Sequence, residues 1–217
     1  MPPRMSENDR DNINTPPAGL TVWCNNCGSN GEMQVYNGTE WTNMIGGAAA
    51  LPPQVGDFME GGVVFYIFQN GDPGYVAGET HGLVCAIQDQ STGTQWGCSG
   101  TSISTSTSLG TGNQNTITIM SGCSTAGIAA RLCGDLVLNG YSDWYLPSKD
   151  ELNLMYQNKA TIDATASANG GSGFAITFYW SSTEFNNDNA WIQYFDSGFQ
   201  NYNLKYLSNS VRAVRAF

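Results

Sequence analysis

Hydrophobic and polar positions change texture several times along the chain, and each texture predicts a different element. Residues 1–19 are polar and contain prolines, the pattern of a flexible leader. Leu20, Val22 and Trp23 follow, then a turn from Cys24 to Cys27, then Met33-Gln-Val-Tyr36, Asn37-Gly38 and Trp41. Asn-Gly between apolar runs is a strong hairpin signal. Residues 20–53 therefore read as a small β-hairpin module closed by a linker, Gly46 to Pro53, with a main domain over 54–217. That domain opens on Val63 to Phe68, a near-continuous apolar run suited to a buried central strand, and continues with a second strand, Leu83 to Ile87. Residues 99–116 are Ser, Thr, Gly and Asn, which predicts a long surface loop. Two helices come next. Ser124 or Thr125 caps the first, Ile128, Leu132 and Leu136 share its apolar face, and Gly140 lies past its end. Ser148-Lys-Asp-Glu151 behind Pro147 is a capping box for the second, with Leu152, Met155 and Tyr156 as its core stripe. After Phe178 the pattern turns to short strands, including 190–196 and 199–206 joined at Ser197-Gly198. A last strand, Val211 to Phe217, must pair with something, and Val63 to Phe68 is its natural partner.

Composition then narrows the function classes. The 217 residues include 18 Asp and Glu against 8 Lys and Arg, a formal net charge of −10. Charged residues make up only 12% and aromatics another 12%, where an ordinary domain is about 25% charged. The aromatics exclude a disordered acidic tail, and the missing basic footprint excludes a nucleic-acid binder. No apolar run reaches the ~18 residues of a membrane span, and no apolar h-region of a secretory signal is visible at the start. Six cysteines are too sparse for a disulfide-built scaffold. Cys24 and Cys27 form a lone C-x-x-C. Zinc needs four ligands and the single histidine, His81, lies in a turn-like stretch, so a local disulfide or two plain thiols is the favoured reading. Cys98 and Cys123 flank the Ser/Thr/Asn-rich loop and are placed to close it, with the pairing left open by spacing alone. Cys85, Cys98, Cys123 and Cys133 lack basic neighbours to activate a thiol. Asp143 and Glu184 are single carboxylates without an acid–base partner. No catalytic residue, metal site or cofactor is expected.

Several separated motifs carry a family resemblance over residues 54–217: Gly61-Gly-Val-Val-Phe-Tyr66, Thr94-Gln-Trp-Gly97, Gly112-Asn-Gln-Asn115, Asp143-Trp-Tyr-Leu-Pro-Ser-Lys-Asp-Glu-Leu152, Trp180-Ser-Ser-Thr-Glu184 and Val211-Arg-Ala-Val-Arg215. They resemble the C-type lectin-like domain of bacterial and phage proteins that also stands at the C-terminus of collagen-like adhesins. The implied fold is α+β, C-type lectin-like, with two helices, paired terminal strands and a long loop region. The C-terminal stretch is similar to variable proteins of diversity-generating retroelements, in which adenine-directed mutagenesis scatters Asn codons into many residue types. Leftover Asn mixed with Tyr, Phe, Leu, Ile and Asp over about 185–210 fits that pattern, whereas Trp191, Gln193, Gln200 and Lys205 are out of reach of such a codon. The resemblance implies a display protein on a virion (phage tail) or cell surface. Its hypervariable face would bind a protein or glycan receptor, with docking to a larger particle through 20–47 and oligomers as further expectations. A glycan-binding adhesin without diversification is the alternative, although a chain of charge −10 repels polyanionic ligands.

The same residues read physically in a compatible way. Residues 185–210 hold seven aromatics and three charges, Asp188, Asp196 and Lys205. Strand alternation puts Trp191 and Phe195 inside and Ile192, Tyr194 and Asp196 outside. Phe199, Tyr202, Leu204 and Tyr206 extend an exposed patch of the kind that marks interaction sites, and Tyr with Asn and Ser is the chemistry of adaptable binding loops. The candidate ligand-binding set is Phe185, Asn187, Asp188, Asn189, Ile192, Tyr194, Asp196, Phe199, Asn201, Tyr202, Leu204, Tyr206 and Leu207. The competing reading packs these residues against the N-terminal module or a sister subunit. Trp180, Glu184, Trp191, Lys205, Arg212 and Arg215 read as scaffold, the two arginines either pairing with a carboxylate such as Asp143 or facing solvent.

Overall fold

The computed structural model describes residues 1–217. It divides into two compact units, one made of residues 1–54, 67–82 and Phe217, the other of residues 55–66 and 83–216.

The first unit carries a sheet in the order β1-β2-β3-β4: β1 (Arg4–Met5), β2 (Thr21–Cys24), β3 (Glu32–Tyr36) and β4 (Trp41–Asn43). β1 runs parallel to β2 and the other pairs are antiparallel. Asn37 closes the β3–β4 hairpin as its sequence suggests: its Oδ1 accepts the N–H groups of Thr39 and Glu40 at 2.8 and 2.9 Å. The leader expectation is corrected here. Residues 4–11 form β1 and a short helix, α1 (Glu7–Asp11), whose N-cap Ser6 accepts the Asp9 N–H. Their order comes from Arg10, which is buried. Its guanidinium pairs with Asp11 at 2.7 Å, donates to Gln34 Oε1 and lies over the Trp41 ring. Polar composition conceals a buried, fully partnered arginine of this kind. Cys24 and Cys27 are joined as a disulfide.

The second unit has a four-stranded sheet in the order β13-β7-β6-β5, built from β5 (Phe58–Met59), β6 (Gly62–Ile67), β7 (Gly82–Ala86) and β13 (Val214–Ala216). The terminal strand pairs with β7, Val214 opposite Cys85 and Ala216 opposite Leu83, and not with Val63 to Phe68 as expected. β7 is buried at every residue, so it is the strand that needs a neighbour on both edges, while the outer edge of β6 is taken by β5. Gly62 permits the β6–β7 approach: a Cβ there would sit 2.5 Å from the Cys85 carbonyl oxygen.

The second sheet of this unit runs β11-β10-β9-β12-β8, from β8 (Ser91–Gln95), β9 (Phe178–Glu184), β10 (Asn189–Tyr194), β11 (Gln200–Leu204) and β12 (Ser208–Val211). Four helices accompany it instead of two: α2 (Gly112–Gly122), α3 (Ala129–Gly134), α4 (Lys149–Gln157) and α5 (Lys159–Ala168). α2 begins inside the stretch read as loop. It has no side-chain N-cap, but Asn115 donates to and accepts from the Ser106 backbone and Thr116 Oγ1 accepts the Leu146 N–H. Tertiary bonds, which no local pattern shows, fix this helix. α3 is shorter than its apolar stripe suggested, with Ile128 at its N-cap. α4 carries the full Ser148–Glu151 capping box. Cys98 and Cys123 form a disulfide that anchors the start of the long loop to the end of α2. Trp96, Trp144, Trp180, Tyr179 and Phe195 fill the core.

Candidate functional site

The candidate face is built on the β10–β11 hairpin, with Trp191 opposite Tyr202 and Gln193 opposite Gln200. The residues out of reach of a mutated Asn codon are the ones that hold it. Lys205 and Gln193 are completely buried. Gln193 donates to Asn153 Oδ1 on α4 at 2.8 Å, and Gln200 donates to the Lys149 carbonyl at 3.2 Å. Trp191 is half-buried beneath the Lys149 ammonium, which stands 4.3 Å from its ring.

Above these anchors lie exposed rings. Phe185 stacks on Tyr202 with centroids 4.1 Å apart and planes 2° from parallel, and Trp191 meets both edge-on at 5.6 and 6.3 Å. Phe185, Asn187, Asn201, Tyr202, Tyr206 and Leu207 are exposed, while Asp188, Asn189 and Leu204 are half-buried. Topology brings the 185–189 and 205–207 turns to the same end of the sheet, because β10 and β11 run in opposite directions between them. Asp196 and Phe199 are exposed at the other end of the hairpin, roughly 15–20 Å away for strands of this length. Tyr194 is half-buried against Phe178.

Ile192 is a correction. It is buried and Trp191 half-buried, the reverse of the expected alternation. β10 keeps an unbroken register with β11, so Ala190 and Ile192 share one face and Trp191 and Gln193 the other. Ala190 and Ile192 are buried on the first face, and Gln193 is buried on the second, where it bonds Asn153 of α4, so both faces are covered and alternation alone does not say which is inside.

Residues 99–103 were missed as part of the face, although the flanking cysteines and the run of hydroxyl residues were the available signal. Gly100 N–H donates to the Asn187 carbonyl at 3.0 Å, and Ser99 Oγ donates to Asp188 at 3.4 Å. Beneath them the Lys205 ammonium pairs with Glu184, donates to the Thr101 carbonyl at 2.8 Å and lies over the Trp96 ring. Glu184 also accepts the Ile103 N–H at 2.8 Å. Apart from the Ser99–Asp188 bond, the loop is thus fastened through residues that read as scaffold and through main chain.

The remaining scaffold residues find partners. Arg212 pairs with Asp89 at 2.7 Å and donates to the Ser172 and Gly173 carbonyls. Arg215 binds both oxygens of Asp143 at 2.8 Å and pairs with Glu60. The Arg215 guanidinium holds the Asp143 carboxyl below its ordinary range.

Both free thiols, Cys85 and Cys133, are buried, and burial pushes Cys85 up to about 12 and Cys133 higher still, so both are protonated. Asn186 Oδ1 accepts the N–H groups of Asp188 and Asn189 at 2.9 Å. No cluster of three or more His, Cys, Asp or Glu side chains is placed to hold a metal ion.

A fixed scaffold carrying exposed rings, amides and hydroxyls defines a recognition domain. The chain belongs to the family of the Lcl C-terminal domain, whose family model matches residues 85–215. Residues 1–57 match the model of a phage tail like trimerisation region. Among solved structures, a fimbrial protein from Bacteroides ovatus ATCC 8483 is similar, at 15% identity and a TM-score of 0.50, over 77% of this chain and 46% of that one. The chain therefore spans less than half the length of that relative, and the likeness is one of fold. The architecture is α+β, C-type lectin-like. No curated protein matches the chain.

Proposed function

We propose that this is a receptor-binding display protein, held as a trimer by its N-terminal region on a virion or cell surface, whose C-terminal face binds a protein or glycan of a partner surface. The observation that carries the reading is the exposed Phe185–Tyr202 stack, with Tyr206 and Leu207 exposed at the same end of the sheet. A contiguous exposed aromatic patch is characteristic of an interaction site, and rigid Tyr and Phe rings give large contact area at small entropic cost. Diversification of that face is part of the proposal. It is supported by the division of labour within 185–210, where the residues beyond reach of a mutated Asn codon are the buried or bonded ones and most of the reachable ones lie open. Ala190, Ile192, Phe195, Asn209 and Ser210 depart from this division, since they are reachable and buried.

Sequencing the locus deeply in a population tests it. Variation confined to Asn-derived codons between Phe185 and Ser210, leaving Trp191, Gln193, Gln200 and Lys205 unchanged, is the expected result. A fixed segment with no nearby imperfect repeat or reverse transcriptase gene removes diversification and leaves the adhesin reading. That alternative draws on the same exposed rings, on which a neutral sugar stacks. Glycan-array binding that survives substitution of Phe185, Tyr202 and Tyr206 would place the glycan elsewhere on the domain.

A further inference from the structure

Within the first unit, β4 leads into a turn over residues 43–47 that ends at the bridge between Thr42 and Ala48. The turn is braced. Asn43 Oδ1 accepts the N–H groups of Ile45 and Gly47 at 3.1 and 2.8 Å, and the Asn43 and Gly47 main chains bond each other at 3.0 Å. Its tip is nevertheless apolar: Ile45 is 92% exposed, with Met44 beside it at 59%. Braced turn tips are ordinarily polar, and an isoleucine held rigidly in water gains nothing within this chain. The same unit presents a groove of about 590 Å³ whose apolar lining includes Ile13, Tyr36, Trp41 and Leu51, the last 65% exposed.

Charge says what fits there. From Trp41 to Gly56 the chain has no charged residue. Of the charged groups lining the groove, Arg10 and Asp11 are paired with one another, which leaves Glu40. Copies of a chain of charge −10 repel each other, so they associate most readily through a neutral surface. A foreign partner selected for an acidic protein would more naturally use its charge.

We infer that the groove is occupied by a second copy of this chain, the Met44–Ile45 tip of one protomer seating in the groove of the next. Tip and groove are different surfaces, so the contact is heterologous, and such contacts close into a ring when the rotation between copies allows it. Three copies close the ring here. This inference rests on the trimer reading above and adds the surfaces that make it.

The test uses the full chain in gel filtration with light-scattering detection. The unsubstituted protein should have three times the 23.3 kDa chain mass. Ile45→Asp and Leu51→Glu, both at exposed positions, should each be monomeric at the same concentration with an unchanged circular dichroism spectrum. Val137→Asp, at an exposed apolar position of the other unit, should remain trimeric. A trimer that survives both Ile45→Asp and Leu51→Glu overturns the tip-and-groove contact while the trimer stands. A monomeric unsubstituted protein overturns the trimer and this inference with it.

Discussion

Replacing Lys205 with Met is the most demanding test of the scaffold beneath the candidate face. The Lys205 side chain is fully buried, and the Glu184 side chain is 9% exposed. The substitution keeps the stem but removes the cation, leaving the Glu184 carboxylate with the Ile103 N–H and the Ser102 hydroxyl as donors. It also frees the Thr101 carbonyl and removes the cation over Trp96. An exposed pair broken in this way costs about 0–1 kcal/mol. A buried pair reduced to one uncompensated charge costs about 3–5 kcal/mol. At roughly 2–4 °C per kcal/mol for a chain of this size, Tm should fall by about 6–20 °C. Thermal and urea unfolding at fixed protein concentration measure it. Adding Glu184→Gln removes the stranded charge and keeps an acceptor for Ile103, so the double variant should be more stable than the sum of the single effects by at least about 1 kcal/mol. A Lys205→Met protein within about 1 kcal/mol of the unsubstituted one, or an additive double variant, would refute the buried-clamp account.

Three further outcomes are expected. Burial pushes the Glu151 carboxyl up to about 7, above its unfolded value. The folded state therefore binds the extra proton between about pH 4.5 and 7, and stability should fall by up to about 3 kcal/mol as pH rises through that window. Urea unfolding against pH should show this slope, and Glu151→Gln should flatten it; the depressed Asp143 acts with the opposite sign and only as pH drops through the acid range. Converting Cys98 and Cys123 to Ser opens a 25-residue loop and should cost about 3.5 kcal/mol on the loop-entropy estimate, read as a loss of Tm in the non-reduced protein. In a display-based substitution scan, Asn187, Tyr206 and Leu207 should accept most residues, whereas Ile192→Asp should cost more than about 3 kcal/mol and abolish folded display.

The sequence was legible where local chemistry determines structure. The Ser148–Glu151 capping box, the Asn37 turn and the 197–198 hairpin turn are set by residues a few positions apart, and they stand where the pattern puts them. It was illegible where distant groups decide. α2 is fastened by Asn115 and Thr116 reaching other segments, the first residues are ordered by the burial of Arg10, and the terminal strand prefers β7 because β7 is enclosed on both sides. Within the candidate face, composition located the segment but not its geometry. Ile192 and Gln193 are buried on opposite faces of β10, which alternation cannot rank, and the separation of Asp196 and Phe199 from the 185–189 turn follows from strand direction, which composition does not encode.

The bond from Gly100 to residue 187 has a consequence for how such a surface changes. Its acceptor is a main-chain carbonyl, which every amino acid supplies, so the strap across the turn is indifferent to the identity of the side chain it crosses. Proteins that differ only at the open positions should melt within a few degrees of one another. Specificity is then free to drift while foldability stays constant, and a collection of such chains would be a set of different recognisers sharing one thermal profile.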